Sequence, residues 1–182
     1  MPFPANWLEE LIVEWLDLEE FASTTKIKVP AGRGGAWSPD VTGAKLVQGR
    51  LLIRHCEAAM YLIQGPERQA QKYKEKYSKN IENAVRKHFS SIFGTSAAQE
   101  AKYEKWVICC YVSRPVIKKM EETISKIKIY QLKDFVVNEV IPSIERWRQP
   151  PNTKTTTLPA DKWLLSLVDH FKRFDLMHLD PD

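Results

Sequence analysis

The sequence holds no apolar run approaching the ~18 residues that a bilayer-crossing helix needs, so no membrane span is expected. Its N-terminus is acidic and has no apolar core with basic flanks, so no signal peptide is expected either. Cysteine is scarce: Cys56, Cys109 and Cys110 form no C-x-x-C pair, and an odd count argues against a disulfide framework. Free thiols of a cytoplasmic protein are the simpler reading. The histidines His55, His88, His170 and His178 show no zinc-ligand spacing. The glycine-containing stretch from Ala31 to Trp37 is not followed by Gly-Lys-Ser/Thr, which excludes a P-loop. No Ser/His/Asp or Cys/His constellation stands out, which argues against a small-molecule hydrolase. There is no internal repeat.

Basic residues are missing from the acidic start of the chain. Residues 1–22 carry six acids (Glu9, Glu10, Glu14, Asp17, Glu19, Glu20) and no Lys or Arg, although the whole chain has a net charge of +4. The body that follows is therefore markedly basic, which suits a polyanionic partner. With 182 residues, 43% hydrophobic and 27% charged, the chain is long enough for one globular domain with a proper core.

What is present centres on Ser38 to Ala59. This stretch reads as two strands folded over a turn at Gln48-Gly49. With those two residues as the loop, Val47 pairs with Arg50, and counting outward sets Thr42 opposite His55 and Asp40 opposite Glu57. Directly opposed side chains lie about 5 Å apart at Cβ, and like charges there destabilise the pair. Two facing carboxylates are better tolerated with a cation between them, and Mg²⁺ prefers oxygen ligands. Solvated strand-end residues are the alternative. Opposite Thr42, His55 reads as a hydrogen-bonded structural residue rather than a catalytic base.

The remaining elements follow from periodicity. Asn6 is the expected N-cap of an amphipathic helix over residues 7–20, with its acids on a solvated face. Thr24 to Val29 alternates like a first strand. Arg33 and Trp37, in the loop before Asp40, are candidates for phosphate contact and base stacking. Pro66 opens a helix whose apolar stripe runs from Ala70 through Tyr73, Tyr77, Ile81 and Val85 to Phe89. Over residues 66–88 that helix carries seven basic side chains against three acids, enough to hold a phosphate backbone beside a carboxylate site. Phe93 to Glu100 reads as a loop, and Trp106 to Val112 as a central strand buried on both faces. A helical segment after Pro115, a strand at Ile127–Tyr130 and a helix over Leu132–Trp147 kinked at Pro142 follow. The domain is expected over 1–148, with a linker at 149–159. A C-terminal helix within 160–182, read over Asp161–Met177, packs on the same domain.

The order of a helix, a three-strand meander, a helix, a strand, then strand and helix resembles the PD-(D/E)XK nuclease superfamily, over roughly residues 7–147. Pro39-Asp40 and Glu57 carry the resemblance. It implies an α/β restriction-endonuclease-like core, a mixed central β-sheet flanked by helices. It also implies Asp40 and Glu57 as ligands of Mg²⁺ (or Mn²⁺), which activates water for attack on a DNA phosphodiester. A first-helix acid often assists, and Glu9 matches that position best, with Glu10 as the alternative. The sequence departs from the pattern where a Lys should stand two residues after the Glu: the residue is Ala59. Family members supply the cation from another element, which makes Lys72, Lys74 and Lys76 the catalytic candidates. Gln69-Ala70-Gln71-Lys72-Tyr73 also matches the Q-x-x-x-Y pattern of RecB-type members, assigning Gln69 and Tyr73 to nucleic-acid binding. A homodimer and DNA as partner are family expectations, with RNA left open. A catalytically inactive nucleic-acid-binding or assembly protein on the same fold is the alternative.

Overall fold

The computed structural model describes residues 6–25, 27–29, 38–63, 65–149 and 157–174. Helix α1 (Trp7–Leu18) starts at Asn6, whose side-chain oxygen accepts from Leu8 N and Glu9 N. Glu9 in turn accepts from the Asn6 side-chain amide, Nδ2, at 2.7 Å, which holds the cap in place. The helix ends with Glu20 at φ 63° and Phe21 N bonded back to Leu16 O, a left-handed turn that swings the chain into strand β1 (Ala22–Thr24).

Strands β2 (Val41–Val47) and β3 (Arg50–Leu62) form the expected hairpin, in the expected register. Val47 pairs with Arg50, Thr42 with His55 and Val41 with Cys56. Gly43 lets the strand pass close under α1: a Cβ there would lie 3.1 Å from the Cβ of Phe21 and press on it. Helices α2 (Pro66–Lys76), α3 (Lys79–Phe93) and α4 (Thr95–Glu100) follow, then β4 (Lys102–Val112), α5 (Arg114–Thr123) and β5 (Ile127–Gln131). The five strands lie in sequence order, antiparallel from β1 to β3 and parallel from β3 to β5. This is an α/β fold with a mixed sheet packed by helices.

Helix α6 (Leu132–Phe135) continues through a π-helical turn (Val136–Val140) into α7 (Ile141–Trp147), and α8 (Trp163–Arg173) closes the described chain. The π turn directly precedes Pro142. Proline has no N–H to give to the preceding turn, and one wider turn absorbs the loss. The wider turn thus sits at the position of the expected kink.

Each side of the sheet has its own core. Under α1 and α8 lie Val41, Cys56, Trp106 and Ile108; under α2 and α5 lie Tyr73, Val107 and Cys109; under α3 lie Ala44, Leu51 and Ile53. Burying side chains of this size contributes about 1.5–3 kcal/mol each, which fixes which strand residue faces which helix.

Four readings are corrected. The first strand is Ala22–Thr24, ahead of the expected Thr24–Val29, where Ile27 is buried without pairing in the sheet. The single helix after Pro66 is two, broken at Tyr77 and Ser78. The loop at Phe93–Glu100 contains α4, held by burial of Ala98. The acids of α1 are not mainly a solvated face: Glu14 is buried and accepts from Leu164 N and Leu165 N, capping α8. Glu10 accepts from Trp163 Nε1, and Asp17 pairs with Lys162. Among the described residues, no helix is long and apolar enough to cross a membrane.

Candidate active site

The hairpin register delivers two acids to one end of the sheet. Asp40 stands one residue before β2, and its Oδ2 accepts from Ala58 N at 2.9 Å, so the carboxylate lies beside Glu57 on β3. Alternation along β3 puts Ile53, His55 and Glu57 on the face covered by α2 and α3, while Cys56 points to the α1 face. From α2, Lys76 reaches both acids: its Nζ lies 3.3 Å from Asp40 Oδ2 and donates directly to Glu57 Oε2. The cation between the facing carboxylates is therefore a lysine ammonium of this chain.

Glu57 is completely buried, and its other oxygen is bonded to His55 Nε2 at 2.7 Å. His55, also fully buried, has Nδ1 2.8 Å from the Tyr103 hydroxyl and its ring 4.6 Å from that of Tyr77. An ionised Glu57 can only accept, so Nε2 carries the proton that joins the two side chains, and Nδ1 meets the Tyr103 hydroxyl. The result is a continuous polar chain from Tyr103 through His55, Glu57 and Lys76 to Asp40. Tyr77 is fixed behind it by a bond from its hydroxyl to Trp106 O.

The electrostatics of the two acids diverge. Burial, and next the charge of Glu57, push the Asp40 carboxyl up to about 7 against the pull of Lys76. Burial also acts to raise Glu57, but the hydrogen bond and charge of His55 and the ammonium of Lys76 outweigh it and hold Glu57 below its ordinary range. Burial lowers Lys76, yet the two carboxylates overcome it and raise the ammonium above its usual value.

Of the three candidate lysines, Lys76 is the one brought to Asp40 and Glu57. Lys74 is exposed on α2, and Lys72, also exposed, has its ammonium 6.0 Å from the Tyr73 ring. Tyr73 is buried against Val107 and Cys109, with the Lys76 ammonium 5.8 Å from its ring. One turn earlier, the side-chain oxygen of Gln69 is buried without a hydrogen-bond partner. Glu9 sits at the N-terminus of α1, a helix packed on the other face of the sheet. Among the described residues, no group of three or more His, Cys, Asp and Glu side chains converges to hold a metal ion, so Glu9 does not complete such a group with Asp40 and Glu57. Arg33 and Trp37 lie outside the described residues.

The sequence reading missed Tyr103 and Tyr77, and paired His55 with Thr42 only. The signal for the His55–Glu57 bond was present: residues two apart on a strand share a face. No family model matches the chain, and no curated protein or solved structure does either.

Proposed function

We propose that the chain is a metal-dependent nuclease-like hydrolase of DNA phosphodiester bonds, built on a restriction-endonuclease-like core. The observation that carries this reading is the meeting of a strand-end Asp40, a mid-strand Glu57 and a helix-borne Lys76 in one cluster. A cluster formed only for packing has no need of two acids against one ammonium. The donors suit Mg²⁺ or Mn²⁺ in kind, since magnesium is bound through one or two carboxylates plus water. With both acids ionised, two carboxylates face one ammonium, and the surplus negative charge is what a further cation would satisfy. When bound by Asp40 and Glu57, the metal supplies an activated water and neutralises phosphoryl charge. His55 fixes the Glu57 carboxylate, and Lys76 takes the place of the lysine absent at position 59, donating to the phosphoryl oxygens.

A second reading has its own observation. Glu57 is inaccessible, with one oxygen bonded to His55 and the other to Lys76. An ion cluster satisfied internally suits a nucleic-acid-binding protein without catalysis. Calorimetric titration of Mn²⁺ into the wild type and into Asp40→Ala/Glu57→Ala, with plasmid nicking on the same samples, separates the two. The hydrolase binds metal and nicks, and the double variant does neither. Lys76→Ala retains the metal but nicks about 10²–10³-fold more slowly, as loss of a charge-stabilising donor does. A wild type that binds no metal and leaves the plasmid intact overturns the proposal.

A further inference from the structure

On the same face of the sheet as Glu57, a cleft of about 760 Å³ runs between α3 and the segment Ile27–Val29. One stripe of α3 packs Ile81, Val85 and Phe89 onto Ala44, Leu51 and Ile53. The adjoining stripe, at helical spacing, turns Asn80, Asn83, Lys87 and His88 into the cleft, and Lys28 faces them between Ile27 and Val29. Lys28 and Lys87 are both exposed. The described lining includes no carboxylate. Glu82, the acid of α3, is held by Arg86 at 2.8 Å. The Asn80 end of the cleft follows Lys76 by four residues, across the short break between α2 and α3.

We infer that this cleft is the path of a single nucleic-acid strand leading to the Asp40–Glu57–Lys76 cluster. The inference rests on the phosphodiester reading of that cluster and adds to it the form of the substrate. Its dimensions select one strand. The stripe from Asn80 to His88 is about 12 Å long at 1.5 Å per residue, and a strand carries one phosphate per ~3.4 Å. The cleft's volume is that of a small-ligand pocket, whereas a duplex presents a major groove about 12 Å wide by itself. The chemistry matches a strand throughout. Lys28 and Lys87 are point charges for phosphates, the Asn80 and Asn83 amides both donate and accept at base edges, and the half-buried Val29 offers apolar surface to base faces.

The test measures binding apart from cleavage, in chelator without metal, on the full chain. A short fluorescein-labelled single strand of mixed sequence and the same strand annealed to its complement are titrated, with anisotropy as readout. The proteins are wild type and Lys28→Gln/Lys87→Gln. The lysine variant is expected to keep its melting temperature, to bind the single strand about tenfold more weakly, and to lower the salt slope by about 1.4, for two phosphates. In the wild type, the duplex binds more weakly than the strand. Unchanged affinity in the lysine variant, or a duplex bound as well as the strand, overturns the inference. Lysine-dependent binding by a wild type that never cleaves upholds the strand path and removes the hydrolase. Cleavage indifferent to both lysines does the reverse.

Discussion

The two faces of the sheet bury charge in opposite ways. On the α1 face, the Arg54 guanidinium lies 5.1, 4.8 and 4.6 Å from the rings of Trp15, Phe21 and Trp106. Its Nε donates to Glu104 at 3.1 Å, and Lys102 holds the other oxygen of that carboxylate at 2.7 Å. Cations therefore outnumber the acid, and Arg54 and Glu104 are both still partly reached by solvent. On the α2 face, one ammonium serves two carboxylates, and Glu57 has no accessible surface. The first arrangement is complete as it stands, since aromatic faces and a single acid satisfy the guanidinium. The second carries an acid in excess, and Asp40 shows it by its raised affinity for a proton. Replacing a buried ion pair by apolar residues is often neutral or stabilising, so stability alone does not explain the second arrangement. This contrast, more than the presence of charge, is why the proposed function is placed on the α2 face.

Removing the cation from each face tests the contrast most severely. Lys76→Met leaves Glu57 charged and buried, and breaking such a pair costs about 3–5 kcal/mol. Arg54→Met gives up a partly exposed pair and its ring contacts, worth about 1–2 kcal/mol. Urea denaturation at neutral pH checks both. Adding Glu57→Gln to Lys76→Met is expected to recover most of the loss, whereas adding Glu104→Gln to Arg54→Met changes little. Equal costs on the two faces would mean that Lys76 is not held between the acids, and the comparison would collapse.

A smaller effect sharpens the same difference through pH. The folded chain raises Asp40 from 3.8 to about 7, so it favours the protonated form. That contribution to stability is complete below about pH 4 and is lost as pH rises through about 7. Glu57 runs the other way: it is lowered, so its contribution is present above its ordinary range and lost as pH falls. Asp40→Asn removes the loss at high pH while keeping an acceptor for Ala58 N. It is expected to stabilise the fold by about 1–3 kcal/mol at pH 8 relative to pH 4, allowing for the partial exposure of Asp40. Thermal melts across that range check it, and a variant-to-wild-type difference that does not grow with pH sinks it.

How far the site was legible follows from which contacts are local. The turn at Gln48-Gly49 and strand alternation were enough to place Asp40 beside Glu57, because a hairpin register is fixed by its loop. The choice among Lys72, Lys74 and Lys76 was only partly written in the chain, because helical spacing sets aside Lys74 but leaves Lys72 beside Lys76. Gln69, Tyr73 and Lys76 fall at i, i+4 and i+7, the stripe that faces the sheet, and Lys74 falls well away from it. The break between α2 and α3 was hidden, since the apolar stripe passes through Tyr73, Tyr77 and Ile81 as if no break existed. Tyr103 behind His55, and α8 capped by Glu14, were out of reach because each joins residues far apart in sequence. Local patterns reveal which face a residue presents, but not which distant group meets it.

The smallest expected effect comes from the turn that sets both faces at once. Gln48 has φ 50° and Gly49 φ 78°, the left-handed pair that a two-residue hairpin loop requires. Glycine adopts that region without cost, but glutamine crowds its Cβ against the backbone, and asparagine tolerates it better. Gln48→Asn is therefore expected to stabilise the fold by about 0.5 kcal/mol, read as a small upward shift of the denaturation midpoint. The turn lies at the far end of the hairpin from Asp40 and Glu57. The gain should accordingly be the same at pH 5 and pH 8, and additive with both Lys76→Met and Arg54→Met, since distant sites combine independently. A gain that varied with pH, or that vanished in only one of the two cation variants, would show that the faces are coupled through the register and that their difference is not local.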